Sequence, residues 1–268
     1  MIPVSVVIIT KNEAELIASC INAARLITDD IIVVDNDSSD ETRVIAYACG
    51  CRVYREDWDG YGANKNKGIT YAKYNWILSI DADEIADEEL IASLHGIKLN
   101  NPEIVYDIRF KSYYGQKPIH FGSWGRDHHI RLFNRQLVKW AESPVHETLI
   151  LPHAIMTQKL KGRLHHYSVK DGNDFRAKTI RYAKLSAEKY LASGKKASFV
   201  KLNIAPLFHF LKNYIVFLGF LDGREGWTIA KMISKHTWLK YRLLKNQPAL
   251  KLKYEEAPKM KDNLVVEY

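Results

Sequence analysis

The sequence has few cysteines and lacks the common short motifs that bind nucleotides or zinc. Its three cysteines, Cys20, Cys49 and Cys51, form no disulfide framework, which indicates a reducing compartment. Neither the glycine-rich dinucleotide fingerprint nor the phosphate-binding P-loop pattern occurs, which disfavours both of those ways of holding a nucleotide. No pair of histidines has the spacing of a structural zinc site. Internal repeats and low-complexity segments are also missing.

The two signs of charge are distributed unevenly along the chain, and acidic residues are scarce in its C-terminal third. Residues 1–158 carry 16 Lys and Arg against 22 Asp and Glu, whereas residues 159–253 carry 21 against 5. The basic region predicts an anionic partner or surface, although a solvated helical face has the same composition. Nucleic acid is the obvious alternative, but no nucleic-acid-binding motif is present and no run of Lys or Arg exceeds a pair. We therefore expect no nucleic acid partner.

The first 81 residues contain a regular alternation of apolar strands and amphipathic helices. The apolar N-terminal run has no basic residues before it and no cleavage site after it, so it predicts a strand and not a signal peptide. The alternation predicts a parallel sheet with right-handed crossovers. The predicted strands are residues 4–10, 31–35, 52–55 and 76–81; the predicted helices are residues 12–26, a helix from the capping pattern Ser38–Glu41 to about residue 50, and residues 64–74.

The rest of the chain predicts more strands and then helices. Strands are expected at residues 104–113, 129–134, 137–141, 146–151 and 162–164, with a hairpin loop at 134–136. Residues 172–246 predict helices. The most apolar stretch, 204–221, is interrupted by His209, Lys212 and Asn213 and predicts either a helix in a membrane interface or a buried helix. We expect a domain at 1–167 with halves at 1–100 and 101–167, a basic helical region at 168–246 and a flexible tail at 247–268.

Two carboxylates follow the fourth predicted strand in Asp81-Ala82-Asp83-Glu84. Ligands of open α/β sheets bind at the carboxyl ends of strands, and paired carboxylates suit a hard divalent cation. An acidic turn that opens the next helix, at Asp87, is the alternative. Loops 10–13 and 35–40 follow the first two strands and supply hydrogen-bonding groups for a base and a ribose. Lys65 or Lys67 supplies positive charge for a diphosphate.

These segments resemble a known family. Residues 6–13, 32–42 and 78–84 look like those of family 2 glycosyltransferases with the GT-A fold. The similarity is closest to bacterial lipopolysaccharide-core biosynthesis glycosyltransferases, through residues 60–62, 65–66, 131–133, 145–147, 166–167 and 219–223. It covers residues 3–225. The resemblance implies an α/β nucleotide-sugar-binding fold with a Rossmann-like, mostly parallel sheet and a basic, helical C-terminal extension.

The resemblance also implies a nucleotide-sugar donor, usually a UDP-sugar, and Mg²⁺ or Mn²⁺. Asn36-Asp37 stands where many members have Asp-Gly, so either Asp35 or Asp37 is expected to contact the base. The implied donor-binding residues are Thr10, Asn12, Glu13, Asp35, Asp37, Lys65 and Asp81, and the implied metal ligands are Asp83, Asp81 and His166.

The family inverts the anomeric carbon, which requires a general base for the acceptor hydroxyl. The candidates are Glu147 and Asp127, and we favour Glu147 because it follows Pro144 at a predicted strand start, in the region where the resemblance places the base. The expected acceptor is a lipid-linked or core-type bacterial saccharide, with glucose as the transferred sugar, at the cytoplasmic face of a membrane. The alternatives are a polyprenyl phosphate or protein acceptor, or a non-catalytic scaffold that binds a nucleotide sugar.

Overall fold

The computed structural model of the protein describes residues 1–142 and 148–246. Within these residues the chain divides into two compact units. Unit 1 contains residues 1–111 and 127–167, and unit 2 contains residues 112–126 and the described part of residues 168–265. Glu147 and the predicted tail at 247–268 lie outside the described residues.

The first half of unit 1 contains the predicted parallel sheet. Four strands lie in the order β3-β2-β1-β4, and each neighbouring pair is parallel. All four were predicted, and only β2 differs, since it begins one residue early. The strands are β1 (Val4–Thr10), β2 (Asp30–Asp35), β3 (Arg52–Arg55) and β4 (Trp76–Asp81), and the helices between them are α1 (Ile17–Arg25), α2 (Thr42–Ala48) and α3 (Tyr61–Thr70).

Helices cover both faces of this sheet, which explains the continuous apolar runs of β1 and β2. Because successive side chains of a strand point to opposite faces, Val6 and Ile8 pack in one cluster with Ile17 of α1. Val7 and Ile9 pack in a second cluster with α3. Helix α3 lies close to the sheet at Gly68, where a Cβ atom would sit 2.5 Å from Val7 Cγ1.

Two helix boundaries differ from the prediction because loop contacts replace helical ones. Helix α1 begins at Ile17, not at residue 12, since Asn12 has a left-handed φ of 57° and Glu13 N donates to Thr42 Oγ1. The predicted capping box of Ser38 does not form, because Ser38 Oγ accepts from Asn12 N and α2 begins only at Thr42. Helix α3 also begins and ends earlier than predicted.

The sheet continues in the order β4-β8-β6-β11-β5, in which the pairs β4-β8, β8-β6 and β11-β5 are antiparallel. The predicted hairpin at residues 134–136 is wrong, because β9 pairs with β10 and not with β8. The predicted strand at 162–164 is part of a 14-residue strand. The elements are β5 (Glu84–Ala86), α4 (Glu88–Gly96), β6 (Ile104–Tyr114), β7 (Lys117–Pro118), β8 (His128–Asn134), β9 (Lys139–Trp140), β10 (Leu149–Ile150) and β11 (Met156–Val169).

Unit 2 is mainly helical. Asp171 and Ser198 cap the starts of α5 (Gly172–Ala192) and α6 (Phe199–Leu211), and α7 (Gly223–Asn246) is the longest helix. A π-helical segment at Lys212–Val216 and a 3₁₀ turn at Gly219–Asp222 connect α6 to α7. Pro206 lies inside α6.

The connection to α7 is fixed by polar contacts within unit 2. Asp222 accepts hydrogen bonds from the backbone N–H groups of His120 and Phe121, at 3.1 and 2.8 Å. Among the described residues no single helix is long and apolar enough to cross a bilayer. By length and composition alone, Phe199–Val216 and Gly219–Asn246 meet that criterion as a pair bent by 71°.

Candidate active site

The first two predicted site loops lie side by side at the carboxyl ends of β1 and β2. Thr10 and Asp35 are partners in the parallel register, so the loops that follow them start together. Asn12 ties the loops to each other: its N–H donates to Ser38 Oγ at 2.9 Å and its Oδ1 accepts from Ser39 N at 2.8 Å. With the Glu13 contact to Thr42, these bonds hold both loops in one conformation.

Asp35 is completely buried at the base of these loops. Its Oδ1 accepts from Ser38 N at 3.1 Å and lies 3.4 Å from Arg43 Nε. Its Oδ2 and the hydroxyl of Thr10 are buried and have no hydrogen-bond partner among the described residues. Buried polar atoms of proteins are normally paired, so these two atoms are suited to receive groups of a ligand.

Asp37 has a different environment from Asp35. Its backbone adopts a left-handed φ of 62°, and its side chain is 64% exposed. The carboxylate pairs with Arg55 Nη2 at 2.6 Å. Of the two candidates for a base contact, only Asp35 therefore has a buried acceptor atom without a partner.

Asp81 ends β4 and is contacted by two cations. Lys65, which has no exposed side-chain surface, places Nζ 3.1 Å from Asp81 Oδ1 and 4.6 Å from the centre of the Trp140 ring. Arg131 Nη2 lies 3.4 Å from Asp81 Oδ2. Burial opposes ionisation of Asp81, but these two cations outweigh it and lower its pKa to about 2. Asp81 is therefore a carboxylate at neutral pH.

Arg131 and Glu84 form a buried pair beside Asp81 to which the sequence analysis gave no role. Arg131 Nη2 lies 2.5 Å from Glu84 Oε1, and Glu84 Oε2 accepts from the backbone N–H of Asp81 at 3.1 Å. Burial raises the pKa of Glu84 to about 7, although Arg131 opposes the rise. The signal in the sequence was a charged residue at a strand position, since Arg131 lies within β8 where its neighbours are apolar.

Asp83 and His166 are brought together by the pairing of β5 with β11. His166 lies opposite Glu84 in the antiparallel register, and Tyr167 N donates to Asp83 O at 3.0 Å. His166 Nε2 is 3.6 Å from Asp83 Oδ2. Both were implied as metal ligands by the family resemblance, and in the structure they are neighbours although they lie 83 positions apart in the chain.

The donor chemistry of this pair fits a divalent cation that also binds a ligand. Across the part of the chain that the structure describes, no three His, Cys, Asp or Glu residues form a group that could hold a metal. Mg²⁺ is commonly held by one or two carboxylates plus substrate phosphates and not by an all-protein cage. Asp83 and His166 fit such an incomplete set, whereas both oxygens of Asp81 already face Lys65 and Arg131.

Asp127, one of the two candidate bases, lies near this pair. Its Oδ1 is 3.0 Å from His129 Nε2. Burial opposes ionisation of Asp127, but the hydrogen bond and charge of His129 prevail and hold its pKa below the ordinary value. The Phe110 ring contacts both His129 and His166, with ring centres 5.1 and 5.6 Å apart. The other candidate, Glu147, lies outside the described residues.

Two comparisons of sequence identify the family. Residues 5–156 match the model of glycosyl transferase family 2. The chain belongs to this family. An uncharacterized glycosyltransferase of Rickettsia prowazekii is 32% identical over 83% of this chain and 80% of its own length. The lipopolysaccharide core biosynthesis glycosyltransferase LpsC of Rhizobium meliloti is 26% identical over 88% of this chain and 93% of its own.

The mixed sheet, the family and the helical unit together confirm the predicted fold class, a GT-A fold with a helical C-terminal extension. A solved structure of glucosyl-3-phosphoglycerate synthase from Mycobacterium tuberculosis is 27% identical over 42% of this chain and 44% of its own, with a TM-score of 0.34.

Proposed function

We propose that this glycosyltransferase moves a sugar, with inversion, from a UDP-sugar to a hydroxyl of a bacterial cell-surface saccharide such as lipopolysaccharide core. The observation that carries the proposal is the juxtaposition of Asp83 with His166 at the end of β4, beside Asp81. The similarity to LpsC over most of both chains supports the saccharide acceptor. Glucose is the proposed sugar, and the proposed workplace is the cytoplasmic face of a membrane that carries a lipid-linked acceptor.

The donor nucleotide is proposed to bind across the carboxyl ends of β1, β2 and β4. The unpaired Oδ2 of Asp35 accepts an N–H of the base, and the hydroxyl of Thr10 bonds to the same ligand. Asn12 and Glu13 hold the walls of this pocket, since their backbone N–H groups bond to Ser38 and Thr42. The base is thus recognised by atoms that would otherwise be buried without partners.

The diphosphate is proposed to lie beside Asp83 and His166. A divalent cation bound there supplies positive charge opposite the leaving group. Asp81 acts differently from Asp83, because it orients Lys65 and Arg131. The two buried cations offset the negative charge of Asp81 and Glu84 at this end of β4, which reduces the repulsion of an anionic ligand.

In the chemical step a carboxylate takes the proton of the acceptor hydroxyl. The hydroxyl oxygen then forms a bond to the anomeric carbon as the bond from that carbon to the diphosphate oxygen breaks, and the bonding electrons leave with the diphosphate. Asp127 has the charge for this role, since its pKa is held low, and His129 orients its carboxylate. Glu147 remains the other candidate base.

Release of UDP from UDP-glucose, with Mn²⁺ and an extracted core saccharide, tests the proposal. We expect Asp83→Ala to lower the rate about 100-fold or more, and the change of the true base, Asp127→Asn or Glu147→Gln, to lower kcat by about 10²–10⁴. Glu89→Ala is the matched control, because Glu89 is an exposed acid close to Asp83 in sequence.

A wild-type enzyme that binds UDP-glucose without turnover would support the scaffold alternative. Equal rates for Asp83→Ala and Glu89→Ala would contradict the role of Asp83. If neither Asp127→Asn nor Glu147→Gln lowers kcat, both assignments of the base are wrong.

A further inference from the structure

Helix α6 carries its largest apolar side chains on the surface and not in the core of unit 2. Its inner face packs through Leu202 and Ala205 against the cluster of α5 and α7, and Pro206 is buried. The opposite face forms a stripe that continues into the π-helical segment. We call this the outer stripe; its members are between 41% and 57% exposed and are Val200, Ile204, Leu207, Phe208, Leu211 and Ile215.

The spacing of the outer stripe is that of one helix face, at positions i, i+4, i+7, i+8, i+11 and i+15. Such a face normally packs against a protein core. The connection to α7 extends the apolar surface, because Val216, Phe220, Leu221 and Trp227 are exposed as well. Contiguous apolar surface of this kind marks an interaction site and is not typical of a solvated helix. The alternative of a plain buried helix is therefore wrong for this stretch.

The charge around the outer stripe has one sign. Residues 189–221 contain five lysines and no acidic residue, and Lys201 and Lys212 are exposed beside the stripe. The nearest acids that follow the stripe in sequence are already paired. Asp222 is buried and accepts hydrogen bonds from two backbone N–H groups, and Glu225 Oε2 lies 2.5 Å from Lys117 Nζ. The partner of the stripe therefore has to combine an apolar interior with a negative surface.

We propose that the outer stripe lies in the interface of an anionic lipid bilayer, parallel to its plane. Amphipathic helices with aromatic and aliphatic side chains on one face and lysines at its border bind membranes in this way. A second copy of this chain fits less well, because two lysine-bordered stripes would repel each other. Binding of the stripe to lipid requires neither donor nor acceptor. The proposal rests on the proposed function only in that a bilayer contact would bring the enzyme to a lipid-linked acceptor.

Flotation of the full-length protein with phosphatidylcholine vesicles, with and without phosphatidylglycerol, tests this proposal. We expect the wild type to float with the anionic vesicles and to be released by high salt. Leu207→Glu/Leu211→Glu should weaken the partition about tenfold or more, through lost apolar burial. Lys201→Gln and Lys212→Gln should each weaken it about fivefold. The control is Val44→Glu/Tyr47→Glu, which adds the same charge at two exposed apolar positions of α2 and should leave flotation unchanged.

Several outcomes would overturn the proposal. These are a wild type that does not float, a stripe variant that floats as well as the control, and protein that resists an alkaline carbonate wash and is therefore inserted. A wild-type dimer in light scattering that Leu207→Glu/Leu211→Glu converts to monomer would instead identify a second copy as the partner. Circular dichroism and thermal unfolding establish that each variant is folded.

Turnover separates this proposal from the proposed function. With a soluble saccharide acceptor, Leu207→Glu/Leu211→Glu should retain the wild-type rate of UDP release, because the stripe contributes no group to the chemistry. Loss of flotation with retained turnover supports the bilayer contact. Flotation without any turnover in the wild type supports the bilayer contact and contradicts the proposed activity.

Discussion

Replacement of Lys65 by Met tests whether the buried pair with Asp81 organises the site. Lys65 has no exposed side-chain surface, and its Nζ lies 3.1 Å from an Asp81 carboxylate that is 27% exposed. Removing one partner of a buried pair typically costs about 3–5 kcal/mol. Here the low end applies, since Arg131 Nη2 still lies 3.4 Å from Asp81 and Met fills most of the volume beside Trp140.

The pKa of Asp81 gives a similar magnitude for the free energy lost in Lys65→Met. A fall of this pKa from the ordinary aspartate value of 3.8 to about 2 corresponds to about 2 kcal/mol of favourable interaction with the carboxylate. Lys65 supplies most of the interaction that lowers this pKa, with Arg131 next. We therefore expect Lys65→Met to reduce the free energy of unfolding by about 3 kcal/mol, which lowers Tm by about 6–12 °C for a chain of this size.

Lys67 is the matched control, because it lies two residues away in the same helix. Its side chain is 30% exposed and pairs with Asp59 at 2.6 Å and Glu56 at 3.3 Å. Exposed pairs contribute about 0–1 kcal/mol, so Lys67→Met should lower Tm by less than about 4 °C. Urea unfolding followed by circular dichroism measures both variants, with an unchanged m-value as the test that the transitions are comparable.

The double variant Lys65→Met/Asp81→Asn tests whether Lys65→Met destabilises the protein by leaving the Asp81 carboxylate unpaired. If the cost of Lys65→Met is the burial of an unpaired carboxylate, removal of that charge should recover part of the loss. Strict additivity of the two single changes would show that the residues do not interact. If Lys65→Met and Lys67→Met have the same free energy of unfolding, the burial of Lys65 does not make its ion pair more stabilising than the exposed one.

Three further changes have defined outcomes. Asp35→Asn should remove the thermal shift that UDP causes in the wild type, whereas Asp37→Asn should keep it, because of these two acids only Asp35 has a buried oxygen without a hydrogen-bond partner among the described residues. Gly68→Ala should cost about 1–3 kcal/mol in thermal unfolding, since its Cβ would sit 2.5 Å from Val7 Cγ1; Gly96→Ala, in open space, should not destabilise the fold. Glu225→Gln should cost up to about 1 kcal/mol at neutral pH. Lys117 holds the pKa of Glu225 below its ordinary value of 4.5, so in pH-dependent urea unfolding this cost should be constant above that value and vanish as the pH falls below it.

The parallel half of the sheet could be predicted because its strands carry a local signal. Strands β1, β2 and β4 are buried on both faces and therefore consist of nearly unbroken apolar residues. Strand β11 carries no such signal. Of its first nine residues only Leu160 and Leu164 are buried, so most of a 14-residue strand reads as polar sequence.

Helix starts were harder to predict than strands because they depend on distant partners. The periodicity of residues 12–26 suits a helix from its first residue. In the structure, however, Asn12 and Glu13 bond to Ser38 and Thr42 in the neighbouring loop. No local pattern shows that a backbone N–H will find a better acceptor 26 or 29 positions away. The same bonds build the proposed donor pocket, so the prediction failed where the loops serve the site.

The two acids of the Asp81-Ala82-Asp83 motif differ in a way that only the tertiary structure reveals. The family resemblance implied Asp83 as a metal ligand and Asp81 as a residue of both the donor site and the metal site. Asp81 faces Lys65 and Arg131, whose burial requires a permanent negative partner. Asp83 instead lies beside a single imidazole and keeps its carboxylate available. We infer that Asp81 stabilises the two cations beside the diphosphate site and that Asp83 binds the metal. Asp81→Asn should therefore reduce both the free energy of unfolding and donor binding. Asp83→Asn should reduce metal-dependent donor binding with little change in the free energy of unfolding.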